Sequence, residues 1–209
     1  MNFETVFSFA LTSLLIELTP GPNMAYLAII SLSRGRRAGL FSLVGVALGL
    51  LIVGGVSALG LATLIQNSPL AYHMLRWGGV LYLLWLAWSG WHEEDDLSDM
   101  SAVSVHHADV RFFARGLVTN LLNPKAAVFY IAILPGFFTM STPIISQGLI
   151  LTGLYVAIAS AIHGGIVVLA DGVRRFIEDE RSVARLRKIL SVLLALVAVW
   201  FAYSTGLKQ

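Results

Sequence analysis

The chain has no cysteine and very little charge. With 0 Cys in 209 residues, disulfides, thiolate metal sites and thiol catalysis are all excluded. Asp, Glu, Lys and Arg together make up 12% of the residues, roughly half of the ~25% typical of a soluble domain. Residues 1–15 carry no Lys or Arg, so the basic n-region of a cleavable signal peptide is missing and none is expected. What remains is apolar: 57% hydrophobic residues and a mean hydropathy of +0.79. Such a composition points to an all-α integral membrane protein with nearly all of its mass in the bilayer.

Six apolar segments are each long enough for a hydrocarbon core that needs about 20 helical residues. They lie near Val6–Leu32, Leu40–Ile65, Leu70–Trp91, Phe112–Phe138, Ile144–Ala170 and Leu186–Thr205. The second is rich in glycine, and its Gly45/Gly49 pair has the spacing used for close helix packing in lipid. That pair would permit a homodimer, although packing within the chain uses it equally well. Trp77, Tyr82, Trp85, Trp88 and Trp91 enrich the third segment, the last two near its end, where interfacial aromatics belong.

The net charge of +2 conceals a strong segregation. Arg34, Arg36 and Arg37 follow the first segment, Arg111 and Arg115 precede the fourth, and six more basic residues lie between the fifth and sixth. A six-span arrangement puts these eleven of the 14 basic residues on one side. The positive-inside rule makes that side cytoplasmic and both termini external, in the inner (plasma) membrane. The longest connection, His92 to Asp109, is acidic and reads as a flexible cytoplasmic loop. His106 and His107 in it suggest metal sensing only weakly, because they lack fixed ligand spacing on an element. Arg174–Lys188 reads as an interfacial helix or tight connection that could touch anionic lipid.

Few prolines are present, 6 in all, and three of them stand at two similar interruptions of apolar segments. Leu18-Thr19-Pro20-Gly21-Pro22-Asn23 breaks the first, and Leu122-Asn123-Pro124-Lys125 breaks the fourth. Proline removes a backbone donor and clashes with the preceding turn, so each helix must open there. Opened backbone survives at membrane depth only where protein or a wet cavity receives it. At a spacing of 104 residues, Pro20 matches Pro124, Tyr26 matches Tyr130, Gly49 matches Gly153 and Gly60 matches Gly164. A second register, Pro22 on Pro124, keeps the break and loses the tyrosine. Paired interruptions point to the binding site of a transporter built from a 3+3 inverted repeat: repeat A over residues 1–91, a loop over 92–111, repeat B over 112–209.

Each break starts a new half-helix whose first amides have no partner within the helix. Those amides and the positive end of the helix dipole attract an anion such as a carboxylate. Pro20, Gly21, Pro22, Asn23, Asn123, Pro124 and Lys125 are therefore the candidate substrate-binding residues. Ionisable groups at membrane depth cost about 2.5–3.5 kcal/mol on insertion scales, which makes each a functional candidate. Lys125 and Glu17 lie at similar depth and could pair across the repeat, either as part of a site or as structural neutralisation. His163 suits proton exchange or hydrogen-bonded packing. Asp171, beside Arg174 and Arg175, suits an ion pair at a helix end better than a proton site.

Thr19-Pro20-Gly21-Pro22-Asn23, Arg34-Gly35 with Gly39, and Asn120-Leu121-Leu122-Asn123-Pro124-Lys125-Ala126 with Phe129 resemble the LysE/RhtB family of amino-acid exporters (LysE-type translocators). Span pattern and length fit as well, over essentially the whole chain. The resemblance implies an inner-membrane exporter of amino acids or their derivatives, driven by the proton gradient. Its motifs do not separate lysine and arginine exporters from threonine and homoserine exporters. No cofactor, catalytic group, metal site or nucleic-acid partner is called for; the expected partners are a small amino acid, protons and lipid. A metal-cation exporter is the rival within transport, weakened by the lack of cysteine and the few intramembrane carboxylates. A membrane enzyme would need a nucleophile–base arrangement at depth, and the sequence offers none.

Overall fold

In a computed structural model the chain is helical throughout, with no strand among the residues the structure describes, 2–59, 69–92, 105–139, 143–176 and 180–204. Among those residues seven α-helices run in order: α1 Phe3–Leu18, α2 Pro22–Ala58, α3 Pro69–His92, α4 Val105–Leu121, the short α5 Pro124–Val128, α6 Ile144–Phe176 and α7 Glu180–Ser204. A π-helical turn, Phe129–Ile133, and a 3₁₀ turn, Leu134–Phe137, extend α5. Among the described residues two helices are long and apolar enough to cross a membrane, Pro22–Ala58 and Ile144–Arg174, as are Ala108–Leu121 and Lys125–Phe137 taken together, bent by 50°.

The helix boundaries follow from local chemistry. Asn2 caps α1, its Oδ1 accepting the Thr5 amide at 3.0 Å, and Glu4 complements the dipole in the first turn. The residue before a proline is pushed out of the helical region. Thr19 before Pro20, Gly21 before Pro22 and Asn123 before Pro124 are accordingly all extended, and Pro22 and Pro124 each open a helix. Of the two registers open in the sequence, capping matches Pro22 with Pro124 rather than Pro20 with Pro124. Gly49 and Gly153 also differ, the first packed on Asn120 and the second against open space. Gly60 lies outside the described residues.

The helix α2 is not straight. Gly35 sits at φ 82°, ψ 179° inside it, a conformation that only glycine adopts without strain. The Tyr26 hydroxyl lies 3.1 Å from Ser42 Oγ, whereas sixteen residues of straight helix would hold them about 24 Å apart. The two arms therefore fold back on each other at Gly35. The expected loop after residue 32 is this one tight turn. The Asp171 carboxylate on α6 accepts the Arg36 amide at 3.1 Å, bracing the turn. Arg37 grips Asp109 on α4 with two bonds, 3.1 Å from Nε and 2.7 Å from Nη2. The Asp109 carboxylate, first by hydrogen bonding and then by its charge, holds the Arg37 guanidinium pKa above its ordinary value. Asp109 thus belongs to α4 and is 5% exposed, not part of a flexible loop. His106 and His107 also fall within α4, while 93–104 lie outside the described residues. Of the two readings for 174–188, the described residues place its ends in α6, which runs to Phe176, and α7, which starts at Glu180, with 177–179 outside the described residues.

The helix α2 is the hub, packing most extensively on α4 and α6, with α3 on α7 and α1 on α6. Glycine makes the α2–α4 seam. Gly45 faces the backbone of Phe113 and Leu117, Gly116 faces the Ser42 carbonyl, and Gly49 faces Asn120. The Gly45/Gly49 pair is thereby used inside the fold, as small residues are where helices approach closely. On α1 the outward face is apolar, while two of the three buried residues, Ser13 and Glu17 beside Phe9, are polar. Phe7 and Leu15 are 57% and 59% exposed, while Ser13 and Glu17 are buried. That inversion suits a lipid surround, where costly polar groups face the bundle interior.

Candidate functional site

The breaks at 19–21 and 122–123 meet beside one small cavity of about 210 Å³, its mouth included. Glu17, Lys125 and His163 supply its charge or potential charge, and Gly21, Asn23 and Asn123 bring it the two helix starts. Tyr155 and the apolar Met24, Leu50 and Ala126 complete the wall.

The two helix starts are chemically different. At α2, Gly21 has no side chain to offer and Pro22 no amide; the first backbone bond is from Ala25 to the Gly21 carbonyl, at 3.0 Å. At α5, Asn123 caps its own helix, its Oδ1 accepting the Lys125 amide at 3.0 Å. The two helix starts expected to receive an anion are thus not alike. The start at α2 has glycine as its N-cap and no side-chain bond, whereas at α5 the Asn123 side chain takes up one amide, that of Lys125.

Lys125 compensates. Its Nζ donates at 2.7 Å to the Thr19 carbonyl, an acceptor freed by the first break. The stem crosses Gly21 so closely that a β-carbon there would sit 3.1 Å from Lys125 Cδ. Lys125 does not form the expected ion pair with Glu17. Instead the Glu17 carboxylate accepts the Tyr155 hydroxyl through Oε1, and His163 Nε2 lies 3.3 Å from Oε2, off the line of a hydrogen bond. Glu17 is 4% and His163 1% exposed, and the other ring nitrogen, Nδ1, is buried without a partner. The Tyr155 ring stacks on Phe129 at 3.8 Å and 12°, which fixes where its hydroxyl points.

Asn23 reaches the second break through Asn120: its Nδ2 donates to Asn120 Oδ1 at 2.8 Å. Both asparagines are buried, and Asn23 Oδ1 and Asn120 Nδ2 have no partner. Pro20 is exposed beside the break, and Pro22 is buried at the start of α2. Asp171 is not part of this cluster. It lies eight residues beyond His163 on α6, about 12 Å along the axis, at the Gly35 turn. Sequence reasoning missed Tyr155 and Asn120; Asn120 lay within the quoted motif, and Tyr155 carried only its place on the His163 helix. Among the described residues no group of three or more His, Asp or Glu could hold a metal ion.

A helical protein with an apolar exterior and a small polar cavity where two interrupted helices meet has the plan of a membrane translocator. The sequence model of the LysE type translocator family matches residues 14–205, and the chain belongs to that family. The homoserine/homoserine lactone efflux protein of Salmonella typhimurium is 31% identical over 202 residues, covering 97% of this chain and 98% of that protein. The leucine efflux protein of Klebsiella pneumoniae subsp. pneumoniae is 26% identical over 207 residues, covering 97% and 93%. An uncharacterised membrane protein of Vibrio cholerae is 27% identical over 191 residues. No solved structure matches the chain.

Proposed function

We propose that this protein exports amino acids or close derivatives from the cytoplasm by alternating access, in exchange for protons. In this reading six spans form a 3+3 inverted repeat in the plasma membrane, α1 with the first arm of α2 and α4 with α5 each being one broken span. The basic side is cytoplasmic and both termini are outside. The observation that supports it best is the meeting of a lysine, an open helix start and a buried carboxylate around one small cavity. The amino-acid efflux named for the relatives agrees.

The substrate carboxylate binds the bare amides of α2 and takes Lys125 Nζ from the Thr19 carbonyl. The substrate ammonium binds Glu17, whose Oε2 has only the misaligned His163 to give up. A proton arriving from outside on Glu17 or His163 competes with that ammonium, so proton and substrate occupy the site in alternation. Each ligand stabilises the conformation that holds it, and the two halves rock between inward- and outward-open forms.

Efflux from cells or proteoliposomes loaded with homoserine or leucine tests the reading. Lys125→Ala removes a charged hydrogen-bond partner worth about 1.5–3 kcal/mol, and efflux is expected to fall roughly tenfold or more. Pro124→Ala, which lets the fourth span close up, is expected to do the same. Wild-type rates in both variants would reject the site, and the absence of any amino-acid efflux would reject the function.

A further inference from the structure

Resting on that exporter reading, we infer that α1 moves separately from the rest of its half, as a gate that pivots at Phe9 and is held at its other end by the two charges that bind the substrate. Of the 16 residues of α1, three are buried, Phe9, Ser13 and Glu17. Spaced four apart, they form one stripe along the helix, which packs on α6. The stripe differs in kind at each level. Phe9 is wedged among aromatic rings, 5.8 Å from Phe129 and 5.2 Å edge-on from Phe137. Ser13, one turn on, is fully buried and its hydroxyl has no partner. An unbonded buried hydroxyl costs free energy, so the middle of α1 favours release. Glu17, about 12 Å along the axis from Phe9, accepts the Tyr155 hydroxyl. Two residues further, the Thr19 carbonyl accepts Lys125 Nζ at 2.7 Å.

The C-terminal end of α1 is thus tied through Glu17 and Lys125, and both line the cavity. A substrate ammonium at Glu17 competes with the Tyr155 hydroxyl, and a substrate carboxylate competes with the Thr19 carbonyl for Lys125. Bonds between two ionised groups are the stronger, so the substrate wins both exchanges and binds best once α1 has let go. A ligand shifts an equilibrium by its difference in affinity for the two forms. Here the difference arises from two tethers that the empty form keeps and the loaded form gives up. Leu11, Leu14, Leu15 and Leu18 are exposed along the rest of α1, and in a membrane they stay against lipid wherever the helix sits.

The chain has no cysteine, so introduced cysteine pairs carry spin labels without background. Leu15→Cys with Val44→Cys reports the C-terminal half of α1 against the second arm of α2, and Phe7→Cys with Val44→Cys reports the pivot; all three positions are exposed. Both pairs lie within one half, so rocking of rigid halves leaves them unchanged. Distances are measured by double electron–electron resonance on the full chain in lipid nanodiscs, with and without homoserine or leucine. The amino acid is expected to move Leu15–Val44 by several ångströms and Phe7–Val44 by less. Lys125→Met keeps the stem over Gly21 and removes the donor. One charged bond shifts the equilibrium roughly tenfold or more, so the moved distance is expected to appear without any amino acid. Tyr155→Phe, which unties the other bond, is expected to do the same. Equal shifts of both pairs, or wild-type distances in both variants, would overturn the inference. An unmoved Leu15–Val44 distance in a chain that exports either amino acid would overturn it too and leave the exporter reading standing. Should no amino acid be exported, that reading falls, and the two variants, which need no substrate, still decide whether these bonds hold α1.

Discussion

Replacing Gly49 by alanine tests the link between helix packing and the cavity. A β-carbon at Gly49 would lie 2.8 Å from both Cβ and Nδ2 of Asn120, where ordinary contact begins at 3.4 Å. The shortfall of roughly 0.6 Å must be taken up by moving Asn120 away from α2. Rotation of the amide does not relieve it, because Asn120 Cβ is one of the atoms struck. The neighbouring seam resists a shift of α4: Gly45 and Gly116 meet backbone on the opposing helix. Moving Asn120 by that amount would stretch its 2.8 Å bond from Asn23 beyond the usual 2.7–3.2 Å range. Overpacking costs about 1–3 kcal/mol and the lost hydrogen bond about 0.5–1.5 kcal/mol. At about 2–4 °C per kcal/mol in a chain of this size, Gly49→Ala is expected to lower Tm by several degrees in detergent. Amino-acid efflux is expected to fall with it. Gly165→Ala, where a β-carbon meets nothing within 4 Å, is the control and is expected to be neutral or slightly stabilising. Equal Tm values for the two variants would refute the packing argument.

At the Gly35 turn, Gly35→Ala is expected to destabilise by about 1–3 kcal/mol through its positive φ alone, and its β-carbon would also meet Arg174 Nη1 at 2.7 Å. Adding Arg174→Ala relieves the contact and not the backbone strain, so thermal unfolding of the double variant should recover only part of the loss. Tyr155→Phe keeps the ring stacked on Phe129 at 3.8 Å and removes the hydroxyl that Glu17 accepts. It leaves a buried carboxylate oxygen unsatisfied, at a cost of about 1–3 kcal/mol, so Tm is expected to fall by a few degrees and amino-acid efflux several-fold. Unchanged Tm and unchanged efflux together would refute the role given to that hydroxyl.

Depth in an apolar segment was enough to single out Glu17, Lys125 and His163, because charge in hydrocarbon is costly wherever the helix sits. It was not enough to pair them. Pairing depends on which helix faces which, and α1 packs on α6, so Glu17 meets Tyr155 and His163 rather than Lys125. The helix breaks were legible for a similar reason: proline acts locally, and its effect on the residue before it does not wait for tertiary structure. Which of Pro20 and Pro22 opens the new helix is a matter of capping, and Gly21 decides it. Asp109 was hidden in an acidic run that reads as solvated. Its bidentate grip on Arg37 exists only because α2 folds back at Gly35 and brings residue 37 to α4.

The two interruptions look alike in sequence and divide the chemistry between them. The first leaves a bare helix start and an orphan carbonyl at Thr19; the second closes its own start with Asn123 and sends Lys125 across to that carbonyl. A lysine at this depth needs a partner, and the break in the other half provides one without adding a negative charge. A carbonyl is a weaker partner for an ammonium than a carboxylate, since bonds with both groups ionised are the stronger ones. In the exporter reading a substrate carboxylate arriving at the open start of α2 therefore takes Lys125 from Thr19. The brace between the halves loosens as the substrate binds. Two identical self-capped starts would hold a carboxylate less well, and two bare starts would leave Lys125 with no reason to cross. In that reading the asymmetry lets one charge both bridge the two breaks and recognise the substrate carboxylate.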